Sequence, residues 1–172
     1  MKPEQALTPC VIPAGEGKRL LSPGGDVTIP KLGTAQSGGT FQAVELEVLP
    51  GSGPPLHVHD REDEAFYVVD GEVHFWLCQS GDRTGKTGTR AVLAKGSFVF
   101  GPRGTAHTFR NCTSSPARMF LIVNPGANFE AFFDRIGGPT ADGLPPSQAE
   151  VVARTGKFAP EHGITILGPN PL

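Results

Sequence analysis

The sequence predicts an all-β chain folded as a jelly-roll barrel, with one or two short helices at its C-terminal end. Three observations carry this. Short apolar runs of strand character follow one another closely between residues 40 and 125, separated by glycine and proline. Within them apolar and polar residues alternate, as in Val44-Glu45-Leu46-Glu47-Val48, the period of a strand with one buried face. Past Asn124-Pro125 the period changes, and Phe129, Phe132, Phe133 and Ile136 fall on one stripe of a helix.

A chain of 172 residues is long enough to bury a real core as one domain. Its parts are a lead-in over residues 1–39, a barrel core over 40–125 and a helical extension over 126–172. The 23 glycines and 17 prolines reflect frequent turns rather than disorder, because 38% of the residues are hydrophobic. A net charge of −2 supplies neither a basic field for nucleic acid nor a polybasic segment for an anionic membrane, which leaves small molecules as partners. Cys10, Cys78 and Cys112 are odd in number and lack CxxC spacing, so they read as buried free thiols. The N-terminal residues lack the apolar run of a signal peptide, and nothing approaches the roughly 20 apolar residues of a membrane span. The expectation is a soluble, cytoplasmic protein.

Residues 1–39 interleave proline, glycine and threonine with apolar pairs such as Val11-Ile12 and Leu20-Leu21, a wandering lead-in with one or two edge strands. Gly24-Gly25 and Gly38-Gly39 read as turns. A strand spans Thr40 to Leu49 and ends at Pro50–Pro55. Ala65–Val69 is a second strand, Asp70-Gly71 a pair suited to a two-residue hairpin turn, and Glu72–Cys78 the return strand. Gln79–Arg90 is glycine-rich and charged, an exposed loop whose Arg83, Lys86 and Arg90 are read as solvated rather than as an anion site. Ala91–Ala94, Ser97–Phe100, Ala106–Asn111 and Arg118–Val123 complete the barrel. The first helix carries Asn128 as N-cap and Gly137 at C′, and its phenylalanines serve packing rather than a substrate mouth. Ser147 and Glu150 have capping-box spacing and start a second helix that ends before Gly156. Gly163–Leu167 adds a final strand.

The chemistry concentrates in two stretches. Gly51–Gly71 reads GSGPPLHVHDREDEAFYVVDG, and His57 and His59 sit two apart, on one face of a strand and about 6 to 7 Å from each other along it. That spacing lets two imidazoles meet one ion, with Glu64 as a nearby carboxylate, so the stretch reads as a metal-binding hairpin. Gly96–Asn111 reads GSFVFGPRGTAHTFRN and delivers His107 after a turn at Pro102 and Gly104. Any one of these histidines alone would read as a structural imidazole, but their grouping favours ligation. Glu64 shares the parity of Phe66 and Val68, whereas Asp60, Arg61, Glu62 and Asp63 around it read as a solvated acidic loop. Three imidazoles and a carboxylate leave open positions on a five- or six-coordinate divalent transition metal: iron, nickel, cobalt, manganese, copper or zinc all suit the donors. Glu64 is also the candidate catalytic base. Phe66, Phe75, Trp76, Phe100 and Phe109 supply aromatic bulk that lines a pocket or fills the barrel. Phe66, Phe109 and Phe75 are the candidate substrate contacts, the first two by shared parity with Glu64 and His107. His74 and His162 have no such context and are read as non-ligands.

Both stretches resemble the two motifs of the cupin family. The first matches G(X)5HXH(X)4E(X)6G through Gly51, His57, His59, Glu64 and Gly71. The second matches G(X)5PXG(X)2H(X)3N through Gly96, Pro102, Gly104, His107 and Asn111. The resemblance implies a double-stranded β-helix barrel that holds one divalent metal on the three histidines and the glutamate. GPPLHVHDREDEAFYVVDGEV, followed by a phenylalanine-bearing helix, is similar to single-domain cupins of the quercetin 2,3-dioxygenase type. This implies a dioxygenase acting on a flavonol-like or enol-containing aromatic small molecule, with dioxygen as co-substrate. The alternatives are a non-redox metal-dependent isomerase, lyase or hydrolase, and a small-molecule-binding cupin without turnover. Nothing like a helix-turn-helix flanks the barrel. The strand-rich lead-in offers edges to a partner's sheet, which makes a homodimer the expected assembly.

Overall fold

The computed structural model describes residue 7 and residues 9–172; residues 1–6 and 8 of the lead-in lie outside the described residues. Two antiparallel sheets face each other. The first contains β1 (Leu20–Leu21), β2 (Val27–Leu32), β3 (Gln42–Val48), β5 (Asp63–Asp70), β8 (Phe98–Gly101) and β10 (Ala117–Asn124), in the order β1-β2-β3-β10-β5-β8. The second contains β4 (Leu56–His59), β6 (Glu72–Leu77), β7 (Thr89–Ala94), β9 (His107–Arg110) and β11 (Ile164–Gly168), in the order β11-β4-β9-β6-β7. The alternation read in β3 holds: Val44, Leu46 and Val48 are buried, while Glu45 and Glu47 stay half-exposed. With Phe66, Val68, Phe75, Phe109, Met119 and Leu121 they form the core between the sheets. Among the described residues no helix is long and apolar enough to cross a membrane.

The hairpin readings are corrected by the topology. β4 and β5 do not pair with each other, and neither do β5 and β6, because each connection carries the chain from one sheet to the other. Gly71, at φ +78, is such a crossing. A Cβ there would lie 2.9 Å from Ala117 Cα, so the close approach of the two chain segments requires glycine. The consequence for the site is direct. His57 and His59 ride on one sheet and Glu64 on the other.

The lead-in supplies β1 and β2, joined by a tight turn over Ser22–Asp26 in which Ser22 N–H donates to Asp26 O at 2.9 Å. The loop between β6 and β7 is more than a solvated hairpin. Its backbone lies over the outer face of the second sheet, where Trp76 Nε1 donates to Gly85 O at 3.4 Å and Ala106 N–H to Asp82 O at 2.8 Å. Of its basic residues, Arg83 pairs with Asp60, and Arg90 contacts His74 Nδ1 at 2.5 Å.

Helix α1 (Ala127–Gly137) buries Phe129, Phe132 and Ile136. Its caps differ from expectation: Gly126 is the N-cap, Gly137 remains helical and Gly138 closes the helix. Asn128 is drawn inward instead, where its amide donates to Glu62 Oε1 at 2.5 Å and to His162 O at 2.7 Å. Helix α2 (Gln148–Phe158) has the full capping box between Ser147 and Glu150, and it continues through Gly156 to Phe158 because a single glycine costs a helix only about 1 kcal/mol. Cys78 is buried, but Cys10, in the lead-in outside both sheets, and Cys112, in the turn after β9, are exposed; the reading of three buried thiols is corrected accordingly.

Candidate metal centre

His57 and His59 point from the same face of β4 because they are two residues apart, and His57 is the cross-strand partner of His107 on β9. Glu64, near the start of β5, faces them from the opposing sheet. The donor atoms of His57, His59, Glu64 and His107 all lie within 4.8 Å of one another. His59, Glu64 and His107 are buried, and His57 keeps partial exposure.

The tautomers follow from the outer hydrogen bonds. His57 Nδ1 lies 2.8 Å from Pro55 O and His107 Nδ1 lies 3.0 Å from Thr105 O; a carbonyl only accepts, so both Nδ1 atoms carry the proton. His59 Nδ1 faces Glu62 Oε2 at 3.3 Å in the same sense. In the neutral rings Nε2 is then a bare lone pair directed at the centre. His107 Nε2 and Glu64 Oε2 approach to 2.7 Å, and His59 Nε2 lies 3.6 Å from the same oxygen. Two acceptors at such a distance need a proton or a cation between them. Donors bound to one transition metal at about 2.1 Å lie at most about 4.2 Å apart, so a small contraction closes this set on an ion. The donor set therefore fits a metal ion.

The electrostatics agree with a cluster built for positive charge. Burial opposes ionisation of Glu64, but the facing imidazoles, His59 foremost, together with the His107 hydrogen bond hold it down at about 2. Burial, then the neighbouring His107 and His59, push His57 down to about 3, which leaves its ring neutral and free to ligate. For His59 burial also disfavours the cation, yet Glu64, Glu62 and Asp60 outweigh it and the pKa is raised.

The four residues open onto a cavity of about 60 Å³, counted as space open to the centre of a water molecule and several times the roughly 10–15 Å³ that one water needs. Phe66 and Phe109 line it, as their parity predicts. Phe75 does not: it is fully buried behind them, with ring centroids 5.2 Å from Phe66 and 5.6 Å from Phe109. Trp76 packs on the outer side of its sheet, and Phe100 points to solvent because alternation in β8 turns Val99 inward. The α1 phenylalanines do both jobs, since Phe129, Phe132 and Phe133 pack in the core and also line the cavity. His74 is held by Glu72 and Arg90, and His162 by Asn128.

Two residues escaped the sequence reading. Glu62, grouped with the solvated acidic loop, is only 1% exposed and joins His59 to Asn128. Its i+3 offset from His59 was the available signal. Asp26, in a glycine-rich turn far from both motifs, lines the same cavity, and no local pattern marks it.

Comparisons place these features among known proteins. Residues 44–123 match the cupin domain family. The quercetin 2,3-dioxygenase of Bacillus subtilis is 30% identical over 146 residues, which are 84% of this chain and 39% of that protein; the chain thus spans about two fifths of this relative's length. Among solved structures, the polyketide cyclase of Streptomyces resistomycificus superposes with a TM-score of 0.58 at 20% identity, over 69% of this chain and 80% of the other. A predicted oxalate decarboxylase from Thermotoga maritima gives 0.57 at 20% identity, over 67% of this chain and 98% of the other. At these identities the structural likeness speaks for the fold.

Proposed function

Because residues 44–123 form a cupin domain and the chain resembles quercetinase-type cupins, we propose that it is a metal-dependent dioxygenase acting on a flavonol-like or other enol-containing aromatic small molecule. The observation that carries this reading is the placement of three inward-facing imidazoles and one carboxylate in the wall of an aromatic-lined cavity, rather than in a closed structural site. His57, His59, Glu64 and His107 would hold the ion. The ion, when bound, supplies Lewis acidity toward the enol oxygen and, if iron, manganese, cobalt, nickel or copper, a route to dioxygen chemistry.

The chain's own residues divide the remaining work. Phe66, Phe109, Phe129 and Phe133 offer apolar surface to an aromatic ring and exclude water from it. Glu64, held anionic by the imidazoles around it, is positioned to take the enol proton on a carboxylate oxygen. Glu62 keeps His59 in the tautomer that turns Nε2 inward.

Oxygen uptake tests this, with protein loaded in turn with each metal and a panel of flavonols and small enols. Substrate-dependent uptake that disappears in Glu64→Gln supports the reading. Product formed equally under argon moves the assignment to a non-redox isomerase, lyase or hydrolase. A ligand bound and recovered unchanged moves it to a binding protein.

A further inference from the structure

The cavity has a second acidic group that the metal reading does not use. Asp26 ends the turn between β1 and β2 and is 3% exposed. Two buried side-chain oxygens have no hydrogen-bond partner among the described residues, Asp26 Oδ1 and Gln42 Oε1, and of these two residues only Asp26 lines the cavity. Ser22 and Thr28 line it beside Asp26, but their hydroxyls are joined to each other at 2.7 Å.

The turn is fixed in place. Gly25 N–H donates to Ser22 O at 3.0 Å, and Gly53 N–H to Gly24 O at 3.1 Å. The Gln148 side chain of α2 donates to Ser22 O at 3.2 Å and to Pro23 O at 2.8 Å. A Cβ on Gly24 would stand 2.1 Å from the Gly53 carbonyl carbon, so the two backbones are in contact and the turn has no room to move inward. A buried carboxyl oxygen without a partner is costly, and a rigid turn holds this residue in the wall of the cavity. Such an arrangement is expected where the partner arrives with the ligand.

We propose that Asp26 is a specificity-determining residue of the cavity, whose carboxylate accepts a hydrogen bond from a hydroxyl that the ligand carries away from its metal-facing oxygen. The occupant is then a small aromatic or enolic molecule with two separated oxygen functions and an apolar middle, matched by Phe66, Phe109 and Phe129, which line the same cavity. Burial raises the Asp26 pKa to about 6, partly offset by Ser22, so at neutral pH the group is mainly ionised and accepts a charge-assisted hydrogen bond. This inference rests on the reading of His57, His59, Glu64 and His107 as a ligand-facing metal centre.

The test is calorimetric titration, under argon, of zinc-loaded protein with catechol and with benzene-1,2,4-triol, which adds one hydroxyl remote from the chelating pair. Zinc stoichiometry is measured on the same samples. Wild type is expected to favour the triol about tenfold, the range of one charge-assisted hydrogen bond. Asp26→Leu should abolish that preference while catechol affinity holds within about twofold. Asp26→Asn, whose amide oxygen still accepts, should retain part of it and serves if the leucine variant does not fold. One zinc per chain with equal affinity for the two probes, with a preference that survives in both variants, or with binding of neither probe overturns the Asp26 assignment alone. Absence of zinc overturns it together with the metal reading.

Discussion

A group kept for a ligand should be expensive to the fold, and Asp26 permits that expense to be worked out. Its pKa rises from 3.8 to about 6 on folding, first because of burial and with Ser22 opposing. The folded state therefore holds the proton more tightly than the unfolded chain. The stability that this group contributes is present in full below pH 3.8 and is lost as the pH rises through 6. A shift of roughly two pH units at about 1.36 kcal/mol each makes ionised Asp26 a burden of about 3 kcal/mol at pH 8, and of roughly half that at pH 5 where the folded state is still mostly protonated. Asp26→Asn removes the titration. In urea denaturation the variant should gain on wild type by about 1 to 2 kcal/mol between pH 5 and pH 8. Any packing offset introduced by the amide is the same at every pH and cancels, as does titration of the histidines common to both proteins. A stability gap that does not change with pH would refute the claim that Asp26 is a carboxyl group whose ionisation burial opposes.

Two further perturbations probe the site's support. Glu62→Ala should weaken zinc or cobalt binding in a competition titration by about 10- to 100-fold, and Glu62→Gln, which keeps an acceptor oxygen for His59, by less; unchanged affinity in the alanine variant would remove Glu62 from the centre. Gly53→Ala should destabilise the fold by at least about 3 kcal/mol in urea, because the new Cβ would meet Phe109 O at 2.0 Å, a backbone atom of β9 that cannot turn aside; a change under about 1 kcal/mol would mean that the two segments separate freely.

What the sequence disclosed and what it hid divide along the range of the interactions. Val44, Leu46 and Val48 announce β3 because strand alternation is a local rule, and Ser147 with Glu150 announces α2 because a capping box closes within four residues. The convergence of His57, His59, Glu64 and His107 was legible through motif spacing. The sheet to which each strand belongs was not. Asp70-Gly71 has the composition of a hairpin turn, and only the pairing of β5 with β8 and β10, and of β6 with β7 and β9, makes it a crossing. Asn128 left its capping role for partners on distant segments, Glu62 and the His162 carbonyl, and Glu62 is itself buried where it meets Asn128. Phe75 and Phe100 show the limit of aromatic counting, since layer and face decide whether a ring reaches a cavity.

The central claim is that His57, His59, Glu64 and His107 act together on one ion. Elemental analysis of the purified protein beside His57→Ala and His107→Ala, after dialysis against a weak chelator, tests it most directly. Close to one equivalent of a divalent transition metal is expected in the wild type, lost in both variants, with each still folded by circular dichroism. Metal absent from wild-type protein even after reconstitution, or retained in full by both folded variants, would contradict it.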